Sequence, residues 1–317
     1  MDQTDQMDPT NPSAPLRLLM DFCDVDSDKW TQYAEASPFP MKLVYLLESK
    51  RLLNYEKRIN RVFDHSVFVS RPEADLFRRL YPQARNVTAI PNGVDYNYFS
   101  PAFVEKANTR NPITQGTQVA LEPNKPNKPN KPNKPNKPNK PNKPNKPLLL
   151  FTGAMDYHAN VDGVTWFHGE VLPVIRRKVG DIQFYVVGSN PVSQVKDLER
   201  PGSVTVTGFV DDIRPYYAMA HVCVIPLRLA RGIQNKVLEA MAMEKPVVTT
   251  TRALEGIHAV PGEHLLVADD AEAFAEAVLS LIHNPEEAAA MGGNARRFIE
   301  KHFDWSENMA ALEALLS

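Results

Sequence analysis

The chain has 317 residues, of which 43% are hydrophobic and 23% charged, so it can form one large or two ordinary globular domains and is not a fibrous or wholly disordered protein. Its formal net charge is −2, but eight of its lysines lie in one repeat, so the rest of the chain carries −10. This acidic balance argues against nucleic acid as a partner.

The first 15 residues are polar and are predicted to form a disordered N-terminal segment. They lack the basic and apolar regions of a secretory signal, and the chain has no run of about 18 apolar residues that would predict a membrane span. We therefore expect a cytoplasmic protein. Cys23 and Cys223 are expected to be buried and unreactive, because two distant cysteines form neither a disulfide framework nor a metal cluster.

Residues 16–101 contain three apolar runs that predict strands, at 16–22, 66–70 and 87–90. The first run leads into the sequence DVDSDKWTQYAE, whose acidic residues have the spacing of a calcium-binding loop. Lys29 stands where such a loop needs glycine, and a strand precedes the segment instead of a helix. We therefore expect no metal site here.

Residues 42–64 are predicted to form a helix with an apolar side that includes Leu43 and Leu47 and a basic side that includes Lys50 and Arg51. We expect a crossover helix that packs its apolar side against the sheet. The alternative is peripheral contact with the inner membrane, because an apolar stripe flanked by lysine and arginine can lie on anionic lipid.

A tripeptide, NKP, occurs eight times in succession over residues 124–147. Proline at every third position removes amide donors and prevents regular helix and sheet, so the tract is predicted to be an extended spacer. We assign residues 102–147 to a linker that contains this low-complexity tract.

Beyond the repeat, strands and helices are predicted to alternate through a domain that spans 148–300. Buried strands are predicted at 148–153, 182–188, 204–208, 222–227, 246–250 and 264–269. Helical patterns are predicted at 161–179, 212–220, 235–243 and 271–282. This alternation predicts an α/β fold with a doubly wound parallel sheet, which binds ligands beyond the carboxyl ends of its strands.

One such end carries the sequence ARGIQNKVLEAMA. Gly232 lets the backbone approach a ligand closely, and the helix predicted to begin at Asn235 presents free amides to an anion such as phosphate. Lys236 adds a positive charge, and Glu239 lies one turn deeper, where a carboxylate can accept hydrogen bonds from a ribose diol. For an isolated helix, a solvated ion pair would be the more common explanation of this lysine and glutamate.

The sequence GIQNKVLEAMAMEKPVV, residues 232–248, resembles a segment of the family 4 glycosyltransferases, which use nucleotide-sugar donors and have two Rossmann-like domains, the GT-B arrangement. IPNGVDYNYFSP at 90–101 and FTGAMDYHANVDGVTWF at 151–167 resemble other segments of that family in the same order. The resemblance covers residues 17 to about 315 without the repeat. It is nearest to bacterial sugar transferases associated with exopolysaccharide export.

The resemblance implies two doubly wound Rossmann-like domains. The first, acceptor-side domain at 16–101 is incomplete, and a helix at 301–317 braces it. Glu239 is implied as the ribose-binding residue, and Lys236 with the segment from Gly232 through Ile233 and Gln234 to Asn235 as the diphosphate site. The resemblance also implies that Gly153 lies near the donor. It implies Arg231 and Lys236 as catalytic residues.

The implied function is transfer of a sugar from a nucleotide diphosphate sugar to a saccharide or lipid-linked acceptor, with retention of configuration and with neither metal nor cofactor. Two features depart from the family. Arg231 occupies the position of a glutamate that contacts the donor sugar, and the first half of the first domain is missing. A catalytically inactive nucleotide-sugar-binding remnant and a GT-B epimerase therefore remain as alternatives.

Overall fold

A computed structural model of the protein describes residues 17–35, 37–103 and 146–316. The predicted disordered segment at 1–15 lies outside the described residues, as does all but the last two residues of the NKP tract. The described residues form two parallel sheets with helices packed against them.

The smaller sheet contains three parallel strands in the order β1 (Leu19–Cys23), β2 (His65–Phe68) and β3 (Val87–Ala89). Helices α1 (Asp26–Glu35) and α2 (Met41–Val62) connect the first two strands, and α3 (Arg71–Leu80) connects the last two. The three predicted strands of this region are therefore confirmed. The expectation that Cys23 is buried is wrong, because Cys23 is exposed at the end of β1, whereas Cys223 is buried as expected.

Helix α3 is absent from the sequence predictions. It begins after Ser70, whose hydroxyl accepts a hydrogen bond from the backbone N–H of Glu73 at 3.3 Å and so caps the helix. Its buried Phe77 packs against Phe68 of β2, with ring centroids 5.1 Å apart. This contact fastens the helix to the small sheet.

Helix α2 packs differently from the prediction. Leu43 and Leu47 are 52% and 53% exposed, so the expectation that they pack against the sheet is wrong. The buried residues of the helix are polar: Glu56 accepts hydrogen bonds from the amide and hydroxyl of Ser27, and Asn60 donates to the hydroxyl of Ser66. Hydrogen bonds therefore help to hold α2 in place, while the leucines of its first half remain exposed.

The larger sheet contains six parallel strands in the order β6, β5, β4, β7, β8, β9. Their bounds are β4 (Leu148–Thr152), β5 (Gln183–Val187), β6 (Val204–Gly208), β7 (Val222–Ile225), β8 (Val247–Thr249) and β9 (Leu266–Val267). Within this sheet the order is third, second, first, fourth, fifth, sixth, which is the dinucleotide-binding Rossmann order. The predicted doubly wound sheet is confirmed, and its topological switch point lies between β4 and β7.

Helices cover both faces of this sheet. They are α4 (His158–Trp166), which continues through a π-helical turn (Phe167–Val171) into α5 (Leu172–Val179), then α6 (Ser193–Lys196), α7 (Arg214–Met219), α8 (Asn235–Ala242), α9 (Thr251–Leu254), α10 (Ala271–His283), α11 (Pro285–His302) and α12 (Trp305–Leu316). Buried aromatic rings hold the helices to the strands, as where Phe167 meets Phe184 at 4.8 Å and Phe274 at 5.8 Å between ring centroids.

Residues after β3 connect the small sheet to the C-terminal helices. Val94 donates its amide to the carbonyl of Phe303, and the Tyr96 hydroxyl donates to Asp304 at 2.6 Å. The Arg296 guanidinium donates to the carbonyls of Tyr96 and Phe99, and also to that of Ala242 at the end of α8.

The domain bounds given above stay predictions. No helix in the described ranges has the length and apolar character that a membrane span requires.

Candidate functional site

A cleft of about 380 Å³ opens beside the switch point of the large sheet. The segments that follow β4, β5 and β6 line it together with the first half of α8. Its lining residues are Thr152, Gly153, Ala154, Asn160, Gly188, Ser189, Phe209, Val210, Ile213, Asn235, Lys236 and Glu239. Sheets of this type bind ligands at this position.

Helix α8 presents its N-terminus to the cleft. The N-cap residue Gln234 makes no side-chain capping bond, and its amide group donates instead to the carbonyl of Arg231 at 2.8 Å. The first amides of the helix are therefore not covered by a capping side chain. Together with the positive end of the helix dipole, they favour an anion in front of Asn235.

Lys236 occupies the centre of the cleft wall. Its ammonium donates to the side-chain oxygen of Asn160 at 2.5 Å and lies 4.9 Å from the centre of the Phe151 ring. Burial lowers the pKa of Lys236 to about 8, and the nearby carboxylate of Glu239 opposes this effect. Lys236 is thus a cation whose charge an incoming anion would stabilise.

Glu239 lies one helical turn farther along α8. Its Oε2 atom accepts a hydrogen bond from the hydroxyl of Tyr217 at 2.9 Å, and that hydroxyl also lies 2.9 Å from Oγ1 of Thr152. Burial raises the pKa of Glu239, whereas the bond from Tyr217 and the charge of Lys236 lower it. The cleft therefore contains one anchored carboxyl group beside one cation.

Two glycines let the backbone come close to these side chains. Gly153 has φ +152°, and a Cβ there would lie 2.7 Å from Nδ2 of Asn160 and 3.1 Å from Nζ of Lys236. Gly188 has φ +154°, and a Cβ there would overlap the carbonyl oxygen of Gly153. Glycine at both positions is needed for the turns after β4 and β5 to meet beside Lys236.

An apolar wall faces the charged pair. Phe209, which follows β6, is 74% exposed, and Val210 and Ile213 continue the surface toward α7. An exposed ring beside a polar cleft is suited to contact a flat aromatic ligand group.

Arg231 is placed outside the lining of this cleft. Its guanidinium forms an ion pair with Asp28 and lies 3.9 Å from a carboxylate oxygen of Glu73 and 3.8 Å from one of Glu255. The side chain is 14% exposed. Burial raises the pKa of Glu73, and the charge of Arg231 lowers it. This arginine therefore neutralises carboxylates that belong to helices of the small-sheet unit and to the loop after α9.

The structure thus brings together four of the eight predicted site residues. Lys236, Glu239, Asn235 and Gly153 line the cleft. The other four form the loop before α8: Arg231, Gly232, Ile233 and Gln234. Gly232 has φ +62° and packs against the side chain of Asp24, and Ile233 is buried in the hydrophobic core.

Residues 146–284 match the family model described as Glycosyl transferases group 1. This segment is therefore similar to a group 1 glycosyltransferase domain. Among curated proteins, the chain is 24% identical over 164 residues to an uncharacterized 44.6 kDa protein in the cps region of Klebsiella pneumoniae. It is 30% identical over 161 residues to a GDP-mannose-dependent alpha-(1-6)-phosphatidylinositol monomannoside mannosyltransferase of Mycolicibacterium smegmatis.

These matches cover 49% and 46% of this chain and 42% of each relative, so they span less than half the length of those proteins.

Solved structures extend the similarity of fold. Sucrose-phosphate synthase from Thermosynechococcus elongatus matches 94% of this chain and 66% of its own at 20% identity, with a TM-score of 0.65. Anabaena HepE in complex with UDP and glucose matches 95% and 72% at 15% identity, with a TM-score of 0.63. The described fold is accordingly the GT-B fold.

Two partners of the charged pair were not predicted, Asn160 and Tyr217, nor was Thr152, which shares a hydrogen bond with Tyr217. Asn160 lies in a segment quoted for its family resemblance, but nothing in the sequence shows that α4 turns it toward Lys236. Tyr217 follows another tyrosine, and only the packing of α7 decides which of the two is buried.

The acidic segment with calcium-loop spacing is not a loop in the structure. Asp26 and Asp28 lie in the first turn of α1, where Asp26 pairs with Lys29 and Asp28 pairs with Arg231. Within the described ranges, no cluster of three or more histidine, cysteine or acidic side chains has the arrangement of a metal site.

Proposed function

We propose that this chain is a glycosyltransferase that moves a sugar from a nucleotide diphosphate sugar to a saccharide or lipid-linked acceptor in bacterial exopolysaccharide or cell-surface glycan synthesis. The observation that carries the proposal is that Lys236 and Glu239, one turn apart on α8, line a single cleft at the switch point of a domain similar to group 1 glycosyltransferases. The cps-region and mannosyltransferase names of the two curated relatives support the glycan context.

The cleft offers a complementary surface to each part of such a donor. The diphosphate would lie against Lys236 and the first amides of α8, where positive charge is concentrated. The ribose diol would donate hydrogen bonds to Glu239. The base would contact the apolar wall at Phe209. UDP is the first nucleotide to test, because HepE was solved with it.

The proposed chemistry depends on charge stabilisation at the departing diphosphate. Lys236 and the helix amides would hold this charge as the sugar acquires oxocarbenium character, with no protein nucleophile and no metal ion. We propose Lys236 as a catalytic residue on this basis. Arg231 can assist only if its guanidinium leaves the three carboxylates that surround it.

We also propose peripheral contact between α2 and the cytoplasmic membrane face. Leu43, Leu47 and the neighbouring Phe39 are exposed, and Lys50 and Arg51 lie on the same helix. An exposed apolar surface with adjacent basic residues can insert at the interface of an anionic bilayer. Such contact would bring a lipid-linked acceptor near the donor cleft.

The deciding experiment is calorimetric titration of the full chain with UDP, GDP and their sugar conjugates. We expect Glu239→Ala to weaken nucleotide binding about tenfold or more, because a buried carboxylate that accepts ribose hydrogen bonds is removed. Glu286→Ala, at an exposed carboxylate of α11, is the matched control and should bind as the wild type does. Absence of binding to all these ligands by folded wild type would contradict the proposal.

Turnover separates transfer from binding alone. Release of free nucleotide that depends on an added saccharide or lipid-linked acceptor would support the transferase. Conversion of the sugar without an acceptor would identify an epimerase, and binding without either reaction would identify an inactive nucleotide-sugar-binding protein.

A further inference from the structure

The hydroxyl of Tyr217 joins two elements of the donor cleft. Tyr217 lies on α7 with 1% of its surface exposed, and its hydroxyl lies 2.9 Å from both Thr152, at the end of β4, and Glu239, on α8. The ring of Tyr217 meets Phe99 edge-on at 6.1 Å between centroids. A phenol at this depth has no access to bulk water, so its two polar contacts are its solvation.

The chemistry of the three groups fixes the direction of this hydrogen-bonded chain. An ionised carboxylate only accepts hydrogen bonds, and a phenol has one proton. The Tyr217 proton is therefore donated to Oε2 of Glu239, and the hydroxyl of Thr152 donates to the Tyr217 oxygen. No hydrogen bond from another described residue reaches Oε1 of Glu239. That oxygen remains available to a ligand.

We propose that Tyr217, supported by Thr152, is a positioning residue that holds the Glu239 carboxylate in the orientation that reads the ribose diol of the donor. This inference rests on the proposed function of the cleft. A glutamate side chain has three rotatable bonds, and fixing one of its oxygens before the nucleotide arrives reduces the entropy that binding must remove. The bond from Tyr217 also favours the charged form of the carboxylate inside a buried site, and the charged form is the one that accepts hydrogen bonds from ribose hydroxyls.

A purely structural role for Tyr217 predicts a different outcome. If the phenol only filled space between α7 and the sheet, its loss would lower the stability of the protein. It would also reduce the affinity of the cleft for every ligand equally. A positioning role is confined to the ribose. It leaves the binding of inorganic pyrophosphate, which would contact only Lys236 and the helix amides, unchanged.

The experiment compares wild type with Tyr217→Phe, Thr152→Val and, as the matched control, Tyr216→Phe. Tyr216 precedes Tyr217 on the same short helix, is partly exposed and packs on Tyr185 at 6.4 Å between ring centroids. Each protein is titrated with UDP, 2′-deoxy-UDP, GDP, 2′-deoxy-GDP and inorganic pyrophosphate, and its thermal unfolding is recorded. Tyr217→Phe keeps the aromatic ring and removes only the hydroxyl. Thr152→Val removes the hydroxyl that donates to Tyr217.

We expect Tyr217→Phe to weaken binding of the ribonucleotide about tenfold, the loss typical of a hydrogen bond to a charged group. Its preference for the ribonucleotide over the 2′-deoxynucleotide should fall toward one, and its pyrophosphate affinity should stay within about twofold of wild type. Thr152→Val should act in the same direction by about threefold, and Tyr216→Phe should match the wild type.

Two results would overturn this inference alone. The first is wild-type nucleotide binding that Tyr217→Phe and Thr152→Val leave unchanged. The second is an equal loss for ribonucleotide, deoxynucleotide and pyrophosphate, which would identify a structural role. Folded wild type that binds neither UDP nor GDP would instead overturn the proposed function, and this inference with it.

Discussion

Arg231 forms an ion pair with Asp28 that connects the loop before α8 to the first turn of α1. Arg231 belongs to the unit built on the large sheet, and Asp28 to the unit built on the small sheet. Glu73, 1% exposed, and Glu255 complete the set of carboxylates around the same guanidinium. The residue at the position of a family glutamate is therefore part of a contact between the two units.

Removing Arg231 should lower stability. Arg231→Ala leaves a buried carboxylate, Glu73, and a largely buried one, Asp28, without their cation, and we expect the free energy of unfolding to fall by about 2–4 kcal/mol. Arg228→Ala is the control. Arg228 pairs with Asp162 at the surface, and its removal should cost less than about 1 kcal/mol. Urea denaturation of the two variants measures the difference.

Equal urea midpoints for the two variants would contradict this account. A loss of acceptor-dependent turnover in Arg231→Ala without any loss of stability would instead support the catalytic role predicted from the family resemblance.

The charge of Lys236 should make nucleotide binding depend on pH. Because burial lowers the pKa of Lys236 to about 8, the free protein loses this cation above that pH. We expect UDP affinity to fall about tenfold between pH 7.5 and pH 9.5. Lys236→Arg keeps its charge over this range and should show a smaller decrease, and the titration of UDP itself is common to both proteins. If UDP affinity fell equally with pH in wild type and in Lys236→Arg, Lys236 would not be the cause of the pH dependence.

The same pKa sets the sign of a stability effect. The pKa of Lys236 is about 8 in the folded state, below its ordinary value of 10.5. The contribution of Lys236 to the free energy of unfolding therefore increases as the pH rises from about 8 to 10.5. Below pH 8 the buried charge is a full cost to the folded protein. Bound diphosphate would remove this cost.

The glycines at the cleft should differ in their tolerance of alanine. Gly188→Ala places a methyl group on the carbonyl of Gly153, where only backbone can yield, and we expect a loss of about 3 kcal/mol. Gly153→Ala meets the movable side-chain ends of Asn160 and Lys236 and should cost about 1–2 kcal/mol. Gly169→Ala, in open space on the π-helical turn, should be neutral or slightly stabilising. A different ranking in chemical denaturation would show that the turns after β4 and β5 adapt.

Membrane contact through α2 can be measured by sedimentation with vesicles. We expect the protein to bind vesicles that contain anionic phosphatidylglycerol more strongly than vesicles of phosphatidylcholine alone. Leu43→Gln with Leu47→Gln should reduce this binding about tenfold, because two exposed apolar side chains are lost. Met219→Gln with Val260→Gln removes similarly exposed apolar groups elsewhere and serves as control. Equal binding of both double variants would exclude α2 as the contact surface.

The large sheet could be predicted strand by strand because its central strands are buried runs of apolar residues and its edge strands, β6 and β9, are short apolar runs beside turns. Residues 148–153 are predicted as a strand, and Leu148–Thr152 form it with every residue buried. Helix α3 carries a recognisable signal that the predictions omit, since Ser70 and Glu73 have the spacing of a capping box. For both the strand and the helix, the local sequence contains enough information to predict the element.

The environment of each site residue could not be predicted in the same way. Lys236 and Glu239 were selected from their spacing on one helix together with the family resemblance. The partners Asn160 and Tyr217 come from other elements, and no local pattern states which side chains tertiary packing will bring to them. The error at α2 has the same origin. Its leucines have helical spacing, but buried hydrogen bonds of Glu56 and Asn60 determine which side faces the sheet.

The three carbonyl contacts of Arg296 have a consequence for motion. Arg296 binds the last residue of α8, Ala242, and also Tyr96 and Phe99, in the segment that leads away from the small sheet. A rotation of one sheet against the other would therefore pull on the helix that carries Lys236. A nucleotide that fixed α8 would therefore restrict such a rotation, and by thermodynamic reciprocity an acceptor that restricted the rotation would tighten nucleotide binding by the same factor.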